Sequence, residues 1–184
     1  PERVLRMVGL VGVTGTLAIE YFPVHHIPAR HRERLAAAKL AERGMFAVRD
    51  VRRKQGDRID RRFDPSQTGL VGDAMSPVTS LPAHLDAKQT SINPNFAAAV
   101  VAMLTEAGVE PGDVVAVGYT GSFPAFNICV CAALETLDAT PLVIHSAASS
   151  QFGANRPELM WLDMETALYD AGLISFRSHA ATLG

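Results

Sequence analysis

The chain has 184 residues, 20% of them charged, with a formal net charge of −2, which gives room for one substantial core plus an appendage. Its near-neutral balance, with Arg clustered only locally, gives no footing for a nucleic-acid reader. Its two cysteines, Cys129 and Cys131, supply no disulfide framework. Two residues apart on a predicted helix they face different ways, as packing residues without the partners of a zinc site.

Residues Met7 to Ile19 (MVGLVGVTGTLAI) carry no charge and follow Arg3 and Arg6. As a helix they cover about 20 Å. Extension through Glu20 to Val24 brings the run close to the lower limit for crossing a bilayer. Val, Leu, Thr and Ile also suit a buried strand, so the residues alone leave anchor and strand open. For an anchor, Arg3 and Arg6 favour a cytoplasmic amino terminus, whereas Arg30, Arg32 and Arg34 pull the other way. His25, His26 and His31 have no carboxylates patterned around them, and no metal site is expected.

Pro28 precedes an amphipathic helix expected from Ala29 to about Gln55. Leu35, Leu40, Met45, Phe46, Val48 and Val51 form its stripe, and the basic run Arg49 to Lys54 suits its carboxyl end. Gly56 should stop it. Residues 57–85 read as a long loop of the kind that lines a site. Thr79 and Ser80, then Lys88, Gln89, Thr90 and Ser91, gather hydroxyls, an amide and one ammonium. Asn93 or Asn95 should cap the helix that follows from Phe96, and Gly108 should end it.

Gly112 to Asn127 (GDVVAVGYTGSFPAFN) organises the remainder. A buried strand, Val114 to Val117, runs into a Gly- and Ser-rich turn that opens into a helix, the usual site-forming unit of α/β proteins. Ser122 is expected to cap that helix, with Pro124 in its first turn. The amides around Gly121 to Phe123 would then meet a carboxylate or phosphate at the positive helix end. A second strand, Pro141 to Ile144, leads into His145. A helix follows over Glu158 to Asp170, and a third strand is expected at Leu173 to Phe176. The predicted fold is α/β, a central parallel sheet with flanking helices in Rossmann-like but incomplete layering. Residues 1–28 are assigned to an anchor and linker, and residues 29–184 to the α/β domain.

Ser122 is the candidate nucleophile, although G-Y-T-G-S is not the G-x-S-x-G elbow. His145, at the carboxyl end of the neighbouring strand, is its candidate base; His84 and His179 are alternatives, with Asp86 or Asp113 to orient the base. The competing role for Ser122 is a cap that helps to hold an anion. Lys88 suits a carboxylate or phosphate partner, or an ordinary structural pair. Asn93, Asn95 and Asn127 suit caps and turns as well as a crevice. Asp163 and Glu165, two apart on a helix, cannot share a face as an acid and base pair. Without a P-loop or G-x-G-x-x-G, no nucleotide cofactor is expected.

Three pieces, SPVTSLPAHLDAKQTSINPNFAA, EAGVEPGDVVAVGYTGSFPAFN and SSQFGANRPELMWLDME, resemble the poly-gamma-glutamate system protein family of bacterial capsule and exopolymer loci. Ser80-Leu81-Pro82 departs from the family pattern, where another Thr and Gly are expected. The resemblance implies a cell-membrane protein with a single-pass anchor and an extracytoplasmic domain. The implied role is an accessory component working with the membrane ligase and export components. Members are longer, so a truncated carboxyl-terminal part is expected. The implied ligand is the anionic polymer, at a crevice of Thr79, Lys88, Thr90, Ser91, Asn93, Thr120, Gly121, Ser122, Phe123 and Asn127. Two further readings stay open: γ-glutamyl amide hydrolysis or transfer by Ser122 with a histidine base, and a purely structural assembly subunit. A homo-oligomer is compatible with each.

Overall fold

The computed structural model describes residues 2–22 and 27–183. Six helices and five short strands follow one another in the order α1 (Glu2–Tyr21), α2 (His31–Lys54), α3 (Leu85–Ser91), α4 (Asn95–Glu106), β1 (Val114–Thr120), α5 (Pro124–Thr136), β2 (Thr140–Ser146), β3 (Asn155–Arg156), β4 (Leu159–Met160), α6 (Trp161–Asp170) and β5 (Ala180–Thr182).

The amino-terminal apolar segment is a helix, not a strand, and it begins at Glu2 rather than at Met7. Its 20 residues span about 30 Å, the thickness of a bilayer's hydrocarbon core. None of them is buried. Thr14 and Thr16 return their hydroxyls to the carbonyls of Leu10 and Gly12 at 2.8 and 2.9 Å, which satisfies the hydroxyls of the uncharged stretch from Met7 to Ile19 within the helix. The helix is long and apolar enough to cross a membrane, and a signal sequence has the same character. Pro23 and Val24, expected to complete the span, and His25 and His26 lie outside the described residues.

Helix α2 starts after Arg30, which adopts a left-handed φ of 52°, and is followed by Gly56 at φ 76°. Its buried face is made of Ala37, Ala38, Ala41, Gly44, Met45, Val48 and Arg52. The expected stripe placed Leu35 and Phe46 inside, yet both are about half exposed. Small residues win because α2 lies close against α5 and α6: a Cβ on Gly44 would sit 2.8 Å from Ile128 Cγ2 and 3.2 Å from Leu168 Cδ2. Leu and Phe cannot enter so narrow a helix contact.

Strands β1, β2 and β5 form a parallel sheet in that order, with Val114 opposite Thr140 and Thr120 opposite Ser146. The third strand is not at Leu173 to Phe176. There Gly172 (φ 63°) closes α6, and Leu173 and Ile174 turn inward to join the core. Carboxylates, not a ladder, hold the following segment. Glu135 accepts from Ser175, and the buried Glu165 accepts from the Ser178 amide and hydroxyl at 3.0 and 2.7 Å. The chain meets β2 at His179, whose amide donates to the Val143 carbonyl at 2.8 Å, and the paired strand begins at Ala180. The helix expected from Glu158 starts at Trp161, because residues Asn155 to Met160 form the antiparallel pair β3–β4.

One face of the sheet is covered. Val115, Val117 and Tyr119 of β1 and Pro141, Val143 and His145 of β2 alternate inward. The core they join is built from α2, α4, α5 and α6. Val114, Leu142 and Ile144 occupy the opposite face and are exposed. The protein is thus an α/β domain of two layers, a sheet and a stack of helices, with β1 and β2 both ending at the same rim.

The long loop expected between α2 and α3 is present and is pinned to the core. Arg52 is buried and binds Asp57 at 2.5 Å and the carbonyls of Gly69 and Val71 at 3.1 and 2.7 Å. Arg156 extends this network to Asp57 at 3.1 Å and Asp73 at 2.9 Å. The fully buried Asn155 takes the Asp73 amide at 2.9 Å and donates to the Asp73 carbonyl and the Thr79 hydroxyl.

Candidate functional site

The carboxyl ends of β1 and β2 bring together segments far apart in sequence. Thr79 forms a parallel bridge with Ser149, and the Ser80 amide donates to the Ser149 carbonyl at 2.8 Å. The Ala154 amide donates to the Gly121 carbonyl at 2.7 Å, and the Ala83 amide to Gln151 Oε1 at 3.1 Å. Glycine permits this approach. A Cβ on Gly121 would lie 2.9 Å from Ser149 Cβ, and one on Gly153 only 2.6 Å from the Gly121 carbonyl oxygen. The three pieces that carry the family resemblance therefore meet at one rim of the sheet.

Lys88 stands at the centre of this rim. Its side chain, on the short helix α3, is 3% exposed. Nζ donates to the Ser122 carbonyl and, at 2.9 Å, to Ser150 Oγ, and lies 3.7 Å from the centroid of the Phe123 ring. Among the described residues it makes no ion pair with a carboxylate. Burial without a counter-charge disfavours the ammonium and pulls its pKa down to about 8.

Ser122 does not cap α5. The residue before the helix is Phe123, which makes no side-chain cap bond, and Pro124 occupies the first turn as expected. The Ser122 hydroxyl instead accepts the Ser150 amide at 3.1 Å, and the Ser122 amide donates to Thr120 Oγ1 at 3.2 Å. The turn is thereby tied to the loop after β2, not to its own helix. The amides of Phe123, Ala125 and Phe126 find no acceptor among the described residues, as is usual for the first turn of a helix.

His145 is not the base of Ser122. It pairs across the ladder with Tyr119, not with the turn beyond β1. Strand alternation sends its ring to the covered face, where it is 1% exposed and both nitrogens lack a partner among the described residues. Burial lowers its pKa, with the nearby charge of Glu165 acting the other way. Neither alternative histidine replaces it. His84 is exposed at the start of α3, and His179 Nδ1 accepts the Val143 amide at 3.3 Å. Asp113 takes the Glu110 amide at the opposite edge of the sheet, and Asp86 the adjacent Ala87 amide on the surface. The serine–histidine arrangement expected from the sequence is absent among these residues.

The other candidates divide. Thr79, Lys88, Thr120, Gly121, Ser122 and Phe123 share the rim. Asn127 donates to the Thr120 carbonyl at 2.8 Å, bracing the strand end against α5. Thr90 and Ser91 return their hydroxyls to Asp86 and Lys88 carbonyls within α3, and Asn93 accepts the Asn95 amide at the head of α4. These last three shape local structure, since hydroxyl and amide side chains satisfy the nearest backbone first. Sequence reasoning missed Ser149, Ser150 and Asn155. The signal was present: Ser149 and Ser150 follow closely on a strand that ends at the same rim as β1.

Cys129 and Cys131 are free and buried, the latter 3.3 Å from the Tyr119 hydroxyl. Burial pushes both thiols up to about 12, which leaves them unreactive packing groups.

No family model, curated protein or solved structure matches this chain.

Proposed function

We propose that this protein is a membrane-anchored accessory component of poly-γ-glutamate synthesis or export, holding the anionic chain at the rim around Lys88. In this reading α1 is the anchor, the α/β domain lies outside the cell membrane, and the membrane ligase and export components are its partners. The observation that carries the reading is the Lys88 ammonium, buried beside the amino end of α5 with no carboxylate among the described residues to balance it. A γ-carboxylate chain supplies that charge, and the helix end favours the same sign. The family resemblance supplies the polymer's identity, and the meeting of its three pieces at this rim supports the assignment.

The test is calorimetric titration of the full chain in detergent with a short γ-glutamyl oligomer at pH 8, in two buffers of different ionisation enthalpy. Binding should take up protons, because an adjacent carboxylate raises the proton affinity of Lys88. Lys88→Met should remove most of the affinity. No heat at millimolar oligomer, or binding indifferent to Lys88→Met, overturns the reading.

A further inference from the structure

We propose that Lys88 and Ser150 form a serine–lysine pair in which Ser150 Oγ attacks an amide or ester carbonyl and Lys88 Nζ moves the proton. A buried lysine serving only as a strut is ordinarily matched to a carboxylate. Lys88 is matched to a hydroxyl, a carbonyl and the face of a ring. Lys88 is in turn the only hydrogen-bond partner of the Ser150 hydroxyl among the described residues. The nucleophile and its base are therefore already at 2.9 Å, the separation that serine activation requires.

The surroundings hold Ser150 still. Its amide is fixed by Ser122 Oγ at 3.1 Å, and its carbonyl accepts from Ser149 Oγ at 2.9 Å and from the Gly153 amide at 3.2 Å. The bridge from Thr79 to Ser149 clamps the same strand end. Ser122 Oγ accepts one bond and has no acceptor for its own proton among the described residues, so it can donate to an oxyanion forming beside Ser150. The Phe123 amide cannot: in a trans peptide it points away from the Ser122 carbonyl, and that carbonyl faces Lys88. Because desolvation brings the Lys88 pKa to about 8, roughly a tenth is free amine at pH 7 and about half at pH 8, able to accept a proton.

The step balances without a cofactor. The Ser150 hydroxyl proton passes to the neutral Lys88 amine as the Oγ–C bond forms. The tetrahedral adduct collapses, the C–N or C–O bond breaks, and the leaving group takes the proton from Lys88. Water then attacks the acyl-serine, its proton passing through Lys88 back to Ser150, so that amide and water give acid and amine. The pair does not depend on the polymer assigned above, only on an acyl group reaching the rim.

A small alkyl fluorophosphonate, applied to the full chain in detergent from pH 6 to 9.5 with the modified residue located by mass spectrometry, tests the pair. Ser150 should be labelled at a rate that rises with a midpoint near 8. Ser150→Ala should abolish that label, and Ser122→Ala should slow it. Lys88→Arg, which keeps the charge but cannot give it up, should slow labelling about a hundredfold or more. Absence of label at Ser150 in the folded chain, a pH-independent rate, or a rate unchanged by Lys88→Arg would overturn the proposal. If Lys88→Arg fails to fold, the wild-type pH profile and Ser150→Ala decide. The probe contains no glutamate, so failure here and failure of the polymer reading are separate results.

Discussion

Lys88→Met removes the ammonium from the slot between Ser122 and Ser150 while keeping an unbranched stem to fill it. The fall of Lys88 from its ordinary 10.5 to about 8 corresponds to roughly 3 kcal/mol against holding the charge there at neutral pH. Methionine abolishes that cost but leaves the Ser122 carbonyl and Ser150 hydroxyl without their donor, a loss of about 1–3 kcal/mol. The variant should therefore be neutral to about 2 kcal/mol more stable than wild type at pH 7. The sign of the pH dependence follows from the depressed folded value. Between about 8 and 10.5 the unfolded chain binds a proton that the folded one does not, so wild-type stability rises with pH across that window. Lys88→Met lacks this contribution, and wild type should gain on it by about 3 kcal/mol between pH 7 and the top of the window. Urea unfolding of both full-length chains in the same detergent, at pH 7, 8, 9 and 10.5, measures the difference. Parallel pH profiles, with the variant destabilised by more than about 2 kcal/mol at pH 7, would refute the reasoning. Lys88 would then be a compensated strut.

His145 gives the opposite end of the pH scale. Its folded pKa is depressed by burial, so the unfolded chain takes up a proton first, as pH falls through the ordinary value of about 6.5. Stability should decline from there towards the lower folded value, and His145→Leu should flatten that decline in urea unfolding between pH 7.5 and 5. A steeper decline in the variant would contradict the burial argument. Arg52→Ala leaves two loop carbonyls without their donor and Asp57 with Arg156 alone, and should cost about 3–5 kcal/mol; thermal unfolding reads it, and a loss below 1 kcal/mol would contradict the pinning of the loop. Gly44→Ala places a methyl 2.8 Å from Ile128 Cγ2 and should cost about 1–3 kcal/mol by overpacking, read by the same thermal unfolding. Glu165→Ala frees Ser178 and should raise amide exchange at Ala180 to Thr182 well before it does so in β1. Equal exchange in the two strands would show that the ladder alone holds β5.

Local chemistry in the sequence was enough to place much of the scaffold. The start of α5 could be read from Pro124, the ends of α2, α4 and α6 from Gly56, Gly108 and Gly172, each at positive φ, and β1 from its apolar run. Each depends on a residue and its nearest neighbours, and a glycine stop or a proline start operates wherever the helix is later packed. The apolar amino-terminal stretch was also legible, although its length of 20 residues came only with the helix itself. Much of the site was not legible. β2 is apolar on both faces, with Leu142 and Ile144 on one and Pro141 and Val143 on the other, so alternation alone could not say on which side His145 would fall. The helices chose by covering one side, and that choice took the histidine away from Ser122. Lys88 and Ser150, 62 residues apart, likewise carry no mark of each other. Their meeting depends on α3 settling over the ends of β1 and β2, where Gly121 and Gly153 leave room for the chains to touch. Propensity acts over a few residues and sets the elements, whereas close packing sets which of their side chains meet.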